Sequence, residues 1–116
     1  MGTKSLLLGI RAEKLAKKYV ERTGYKVLFS NWKCLYGEID LIAFRDGKFA
    51  FFEVKYRSTD KYGYPFESIS WSKICKIRKA INLFLLQTGS YDSSWTLEGL
   101  CTVSYTHLTL PTKRIV

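Results

Sequence analysis

The residues best placed to do chemistry are Asp40, Glu53 and Lys55, carried by Gly37-Glu38-Ile39-Asp40-Leu41-Ile42-Ala43 and Phe51-Phe52-Glu53-Val54-Lys55. Between these segments stands Arg45-Asp46-Gly47-Lys48, and Asp-Gly flanked by apolar runs is the mark of a two-residue type I′ hairpin loop. With Asp46 and Gly47 as that loop, Arg45 faces Lys48. The same register sets Asp40 opposite Glu53 and Glu38 opposite Lys55. Directly opposed side chains in a sheet have Cβ atoms roughly 4.5 to 5.5 Å apart, so facing carboxylates repel and call for a cation. Hard oxygen donors suit Mg²⁺ or Mn²⁺, with water completing the octahedron. A lysine two positions from a metal-binding glutamate can stabilise a hydroxide nucleophile or the charge that develops on phosphorus. Metal-dependent phosphodiester hydrolysis is the chemistry such a set would perform. The competing reading is an ordinary salt-bridge ladder, with Glu38 on Lys55 and the other acids solvated at a sheet margin.

The elements around these residues follow from periodicity. Alternation along the two strands puts Ile42, Phe44, Phe49 and Phe51 on the face that carries the charges, with Ile39, Leu41, Ala43, Phe52 and Val54 on the other. Both faces are mostly apolar, so both are expected to be covered. Upstream, Ala12, Leu15, Ala16, Tyr19 and Val20 recur at helical spacing and predict an amphipathic helix over residues 4–22, stopped by Gly24. Glu13 borders the apolar stripe of that helix. Tyr25 to Asn31 reads as a first strand, with Trp32 to Tyr36 leading into the hairpin.

Downstream, residues 57–66 form a loop with Gly63 and Pro65 as turn residues. Arg57 and Lys61 there could grip phosphate while Tyr62 or Tyr64 stacks on a base. Trp71, Ile74, Ile77, Ile81, Phe84 and Leu85 mark a second helix ending before Gly89. Lys73, Lys76, Arg78 and Lys79 lie on its other side, without one acid from Trp71 to Thr88, which suits a phosphate track as well as a solvated face. Residues 93–102 supply a final strand.

Taken together, Asp-x12-Glu-x-Lys on a hairpin resembles the PD-(D/E)-x-K nuclease superfamily, which includes the Holliday-junction resolvases. A wider set is similar to the YraN-like family of small bacterial proteins: Gly24-Tyr25, Asn31-Trp32, the two hairpin segments, Arg57, Gly63-x-Pro65-x-Glu67 and Lys73. The match spans most of residues 9–100. The resemblance implies a restriction-endonuclease-like fold and places Glu13, Asp40, Glu53 and Lys55 at the active-site positions. One departure is the missing superfamily proline, since Ile39 precedes Asp40. Resolvase-like relatives suggest a homodimer by analogy alone.

Composition agrees with a small nucleic-acid enzyme. The 116 residues allow one domain with one modest core. Nineteen basic residues against ten acidic ones give a formal charge of +9, which suits a polyanion, with DNA the expected form. No run approaches the roughly 20 apolar residues of a spanning helix, and Leu6 to Leu8 is too short for a signal core, so a cytoplasmic setting is expected. Cys34, Cys75 and Cys101 are odd in number and lack C-x-x-C spacing, so neither a disulfide framework nor a zinc site is indicated.

The last stretch has a different origin. Val103-Ser104-Tyr105-Thr106-His107-Leu108-Thr109-Leu110-Pro111-Thr112 is the translation of a transposon-based sequencing adapter, and Lys113-Arg114-Ile115-Val116 matches the index, the following valine codon and the stop. Residues 1–102 are therefore expected to be a single nuclease-like domain cut short at its C-terminus, and residues 103–116 to be non-native. The only histidine, His107, falls in this tail, which removes histidine chemistry from the domain. Without Lys113 and Arg114 the charge falls from +9 to +7, still strongly basic.

The expected architecture is one α/β domain, ordered α-β-β-β-α-β, with helices flanking a central mixed sheet. The expected function is a metal-dependent endonuclease. Asp40 and Glu53 would ligate Mg²⁺ or Mn²⁺, Glu13 would assist, and Lys55 would act on the attacking water, with Glu38 orienting Lys55. The alternatives are a non-catalytic nucleic-acid-binding module of the same fold and a scaffold for an acidic protein partner.

Overall fold

Asp46 and Gly47 have φ of 51° and 79°, the positive values that a type I′ turn demands, and Arg45 pairs with Lys48 across it. The computed structural model describes residues 13–57, 70–103, 108–109 and 113–114. Within them the order is α1 (residues 13–22), β1 (Lys26–Cys34), β2 (Gly37–Arg45), β3 (Lys48–Arg57), α2 (Trp71–Gln87) and β4 (Ser94–Val103). This is the expected α-β-β-β-α-β order. The first three strands are antiparallel neighbours, whereas β3 and β4 run parallel, so α2 is the crossover of a β-α-β unit and the sheet is mixed. Two short strands, β5 (Leu108–Thr109) and β6 (Lys113–Arg114), pair antiparallel with β4 on the side away from β3. The start of the expected first helix and most of the loop after β3, including Lys61, Tyr62 and Tyr64, lie outside the described residues.

Each face of the sheet is covered by one helix. On one side α2 buries Ile77, Ala80, Ile81, Phe84 and Leu85 against Ile42, Phe49, Phe51 and Leu97. Phe84 is the hub, its ring meeting Phe29, Trp32, Phe49 and Phe51 edge-on at centroid distances of 5.4 to 5.7 Å. Such edge-to-face pairs add about 0.5 to 1.5 kcal/mol beyond area burial. On the other side α1 lays Ala16 and Val20 over Leu41, Ala43, Ala50, Phe52 and Leu100. The α1–β1 turn is tied to the sheet by Arg45, which donates to the Thr23 carbonyl and sits 4.4 Å over the Tyr25 ring.

Three local expectations are corrected by the structure. β1 continues through Trp32 to Cys34, where a connector was expected, because Trp32 pairs with Ile39 and Cys34 with Gly37. Ile39 packs with the α2 cluster, although strict alternation assigned it to the opposite face. Leu41 lies in the cluster under α1, so the alternation of β2 breaks at Asp40, across from the stretch of β1 where Asn31 has φ 55°. Trp71 was expected on the buried stripe of α2 and is 70% exposed, since burial on that helix begins only at Ile74 and Ile77.

The C-terminal stop of α2 is as expected: Thr88 bonds back to the Phe84 carbonyl, and Gly89 follows with φ 68°. Among the described residues no helix is long and apolar enough to cross a membrane. Cys34 and Cys75 are free thiols.

Candidate active site

The β2–β3 ladder runs from Arg45–Lys48 to Leu41–Phe52, and the next step would pair Asp40 with Glu53. At that step a side chain enters the ladder: the Val54 N–H donates to Asp40 Oδ2 at 2.7 Å. Asp40 thus satisfies a backbone donor at the end of the hairpin away from its turn. Glu53 beside it is the one buried charged residue among those described, at 8% exposure. Two cations meet its Oε1: Lys73 Nζ at 3.0 Å and Lys55 Nζ at 3.5 Å.

Lys73 arrives there by helix capping. Ser70 is the N-cap of α2, and its Oγ accepts from the Lys73 N–H at 3.1 Å, which fixes the first turn at the end of β3. The repulsion between Asp40 and Glu53 is therefore met in part by the chain's own lysines. The sequence reading placed Lys73 on an outward phosphate track; the fold turns it toward the acidic pair.

Burial is the main force on Asp40, pushing its pKa up to about 7. The Val54 N–H works against that rise, whereas the charges of Glu53, Glu38 and Glu13 add to it. Lys55 is shifted down, chiefly by burial and then by its contact with the Lys73 ammonium. Lys73 is shifted up by its hydrogen bond to Lys55, with further help from Glu53.

Glu13 reaches the rim of this cluster from the other face of the sheet. Half-buried, it accepts from Asn31 Nδ2 at 3.2 Å and contributes to the field at Asp40. Among the described residues, however, no three His, Cys, Asp or Glu side chains converge as a metal-ligand set. The fit for a cation rests on two hard carboxylates, which is enough for an ion that keeps most of its waters. Asp40 bonds Val54 through Oδ2 and Glu53 bonds the lysines through Oε1, so each carboxylate has a second oxygen to offer.

Glu38 does not orient Lys55. It stands opposite Lys33 of β1 and pairs with it at 3.9 Å, because β1 runs on to Cys34 along this end of β2. Lys76, Arg78 and Lys79 are exposed on α2 and outside the acidic cluster; Lys79 lies 5.9 Å from the centroid of the Tyr36 ring. Arg57 ends β3, its side chain outside the described residues, as is all of Lys61. Sequence reading missed two parts of the site. Asn31 was legible only as a residue type that tolerates a left-handed backbone within a strand pattern, and the local sequence carries no sign that Val54 would donate to Asp40.

The family model described as Uncharacterised protein family UPF0102 matches residues 12–103, nearly the whole α/β domain. The chain belongs to this family. A UPF0102 protein of Syntrophus aciditrophicus is 46% identical over 92 residues, covering 78% of this chain and 71% of the relative. One from Renibacterium salmoninarum is 38% identical over 94 residues, covering 80% and 79%. One from Clostridium kluyveri is 34% identical over 110 residues, covering 94% and 89%. The UPF0102 match thus takes in the helix that carries Glu13, the hairpin that carries Asp40, Glu53 and Lys55, and the helix that carries Lys73.

Proposed function

We propose that this UPF0102 chain is a metal-dependent endonuclease-like protein that hydrolyses phosphodiester bonds in nucleic acid. The observation that carries this reading is the meeting of Asp40, Glu53, Lys55 and Lys73 at one end of the hairpin, with Glu53 buried and Asp40 short of positive charge. Sites that combine burial with like charges are where functional carboxylates concentrate. Asp40 and Glu53 would hold Mg²⁺ or Mn²⁺, with Glu13 assisting through water. A bound ion of this kind supplies Lewis acidity and a more acidic water. Lys55 would orient the attacking water, and Lys73 would hold Glu53 in place. The excess of basic residues supplies the attraction for a polyanion, and the resemblance to PD-(D/E)-x-K nucleases points the same way. Such an enzyme would act on DNA in the cytoplasm.

Thermal unfolding with and without divalent metal tests the reading. The parent chain should gain stability with Mg²⁺ or Mn²⁺ by mass action, and Asp40→Asn and Glu53→Gln should gain little. Equal gains in all three proteins would move the metal elsewhere and remove the basis of the proposal.

A second reading has its own observation in support. Lys73 and Lys55 already meet Glu53, so the cluster is partly neutral without a metal. On that reading the chain is a nucleic-acid-binding module of nuclease shape, which binds without turnover and takes no stability from divalent ions.

A further inference from the structure

On the flank of the acidic cluster lies an open groove of about 380 Å³, within the size range of ligand pockets. Its walls are the β1–β2 turn and the start of α2, and its lining includes Tyr36, Glu38, Ser72, Lys73, Lys76 and Ile77. Lys73 is common to both places, since its Nζ also touches Glu53 Oε1 at 3.0 Å. The groove therefore opens beside the proposed reaction centre.

Three features give it a chemical character. It combines cations with an aromatic face: Lys73 and Lys76 line it, and Lys79 approaches the Tyr36 ring. The two segments that form it also carry Leu35, 80% exposed, and Trp71, 70% exposed, large apolar side chains left to solvent. Its one acid, Glu38, is paired with Lys33. A basic groove with exposed rings is how proteins hold single strands, because every unpaired base offers a π-face and every linkage a phosphate. In a duplex the base faces are stacked and out of reach of Tyr36.

We infer that this groove holds an unpaired stretch of nucleic acid next to the scissile linkage, with a base on Tyr36 and its phosphate on Lys76. The inference rests on the nuclease reading for its link to catalysis and on the groove alone for binding. It also divides the cations of α2. Lys73 and Lys76 line the groove and Lys79 approaches its Tyr36 ring, whereas Arg78 is exposed and does not line it.

Binding of a labelled single-stranded DNA to the full chain in EDTA, where no metal-dependent turnover occurs, tests this directly. Tyr36→Ala should weaken single-strand binding about 10-fold, with Tyr36→Phe restoring it, in line with the measured worth of base stacking. Lys76→Gln should reduce the log-log salt slope by about 0.7, the value for one lost phosphate contact on a single strand. Arg78→Gln should change neither quantity, and blunt duplex should lose nothing with Tyr36→Ala. Equal losses for Lys76→Gln and Arg78→Gln, or unchanged single-strand binding by Tyr36→Ala, would overturn the groove assignment. Cleavage by the parent chain in Mg²⁺ or Mn²⁺ separates the two claims. Intact cleavage with failed groove arms sinks only the groove; absent cleavage with successful groove arms sinks only the nuclease.

Discussion

Asp40 and Glu53 solve the same electrostatic problem in different ways. Glu53 is matched by Lys73 and Lys55, whereas Asp40 relies on one backbone N–H and has its carboxyl pushed up to about 7. A carboxyl raised above its unfolded value makes the folded state the stronger proton binder. Its contribution is complete below about pH 4 and is lost as pH rises through about 7. Metal-free protein should therefore lose stability across that window, by an amount of the order of a few kcal/mol. Asp40→Asn should flatten the loss, as urea titrations at a series of pH values would reveal. Lys73 gives a second expectation. Replacing it by Met strands a buried carboxylate with only the longer Lys55 contact, at a cost of about 1 to 2 kcal/mol, between the values for exposed and buried pairs. Glu53→Gln in the same background should recover most of that, and a double-mutant cycle would measure the coupling. The acidic pair and Lys55 were legible because a two-residue turn fixes register residue by residue. The role of Lys73 was not, because spacing along one helix cannot say which of its cations lies over the end of a distant strand.

At the level of elements, the site exists because β2 and β3 are clamped between two helices. Phe84 of α2 reaches four rings from β1 and β3, so it couples the covering helix to β1 and to β3, the strand that carries Glu53. Phe84→Ala should cost about 3 to 5 kcal/mol in urea unfolding, the usual price of a buried ring. A loss under 1 kcal/mol would show that α2 is held by other contacts. The order of elements was readable from apolar periodicity and from Asp46-Gly47, and the end of α2 from Gly89. The irregular course of β1 was not readable. An extra residue between Val27 and Phe29 shifts the pairing with β2, Asn31 further along takes a left-handed backbone, and local propensity does not encode either. Ile39 lies under α2 and Leu41 under α1, and Glu13 finds Asn31 as its partner.

For the whole molecule, the family match ends at Val103, where the adapter-like tail begins. We propose that the tail is foreign to the domain, although β5 and β6 lie along β4 through two residues each. Removing residues 103–116 should change stability by less than about 2 kcal/mol, the scale of losing evolved core packing. A larger loss in urea unfolding would make the tail a working part of the sheet. The basic excess, +7 without the tail, and the resemblance to nucleases join the acidic cluster in one proposal, that this molecule cuts nucleic acid with a divalent metal held by Asp40 and Glu53. The most direct measurement is cleavage of linear, branched and single-stranded DNA and RNA in Mg²⁺ or Mn²⁺, run beside Asp40→Asn, Glu53→Gln and Lys55→Ala. The parent should cleave at least one substrate in a metal-dependent way and all three variants should lose that cleavage, with Lys55→Ala still stabilised by metal. No cleavage of any substrate by the parent, or equal cleavage by the Asp40→Asn protein, would contradict it.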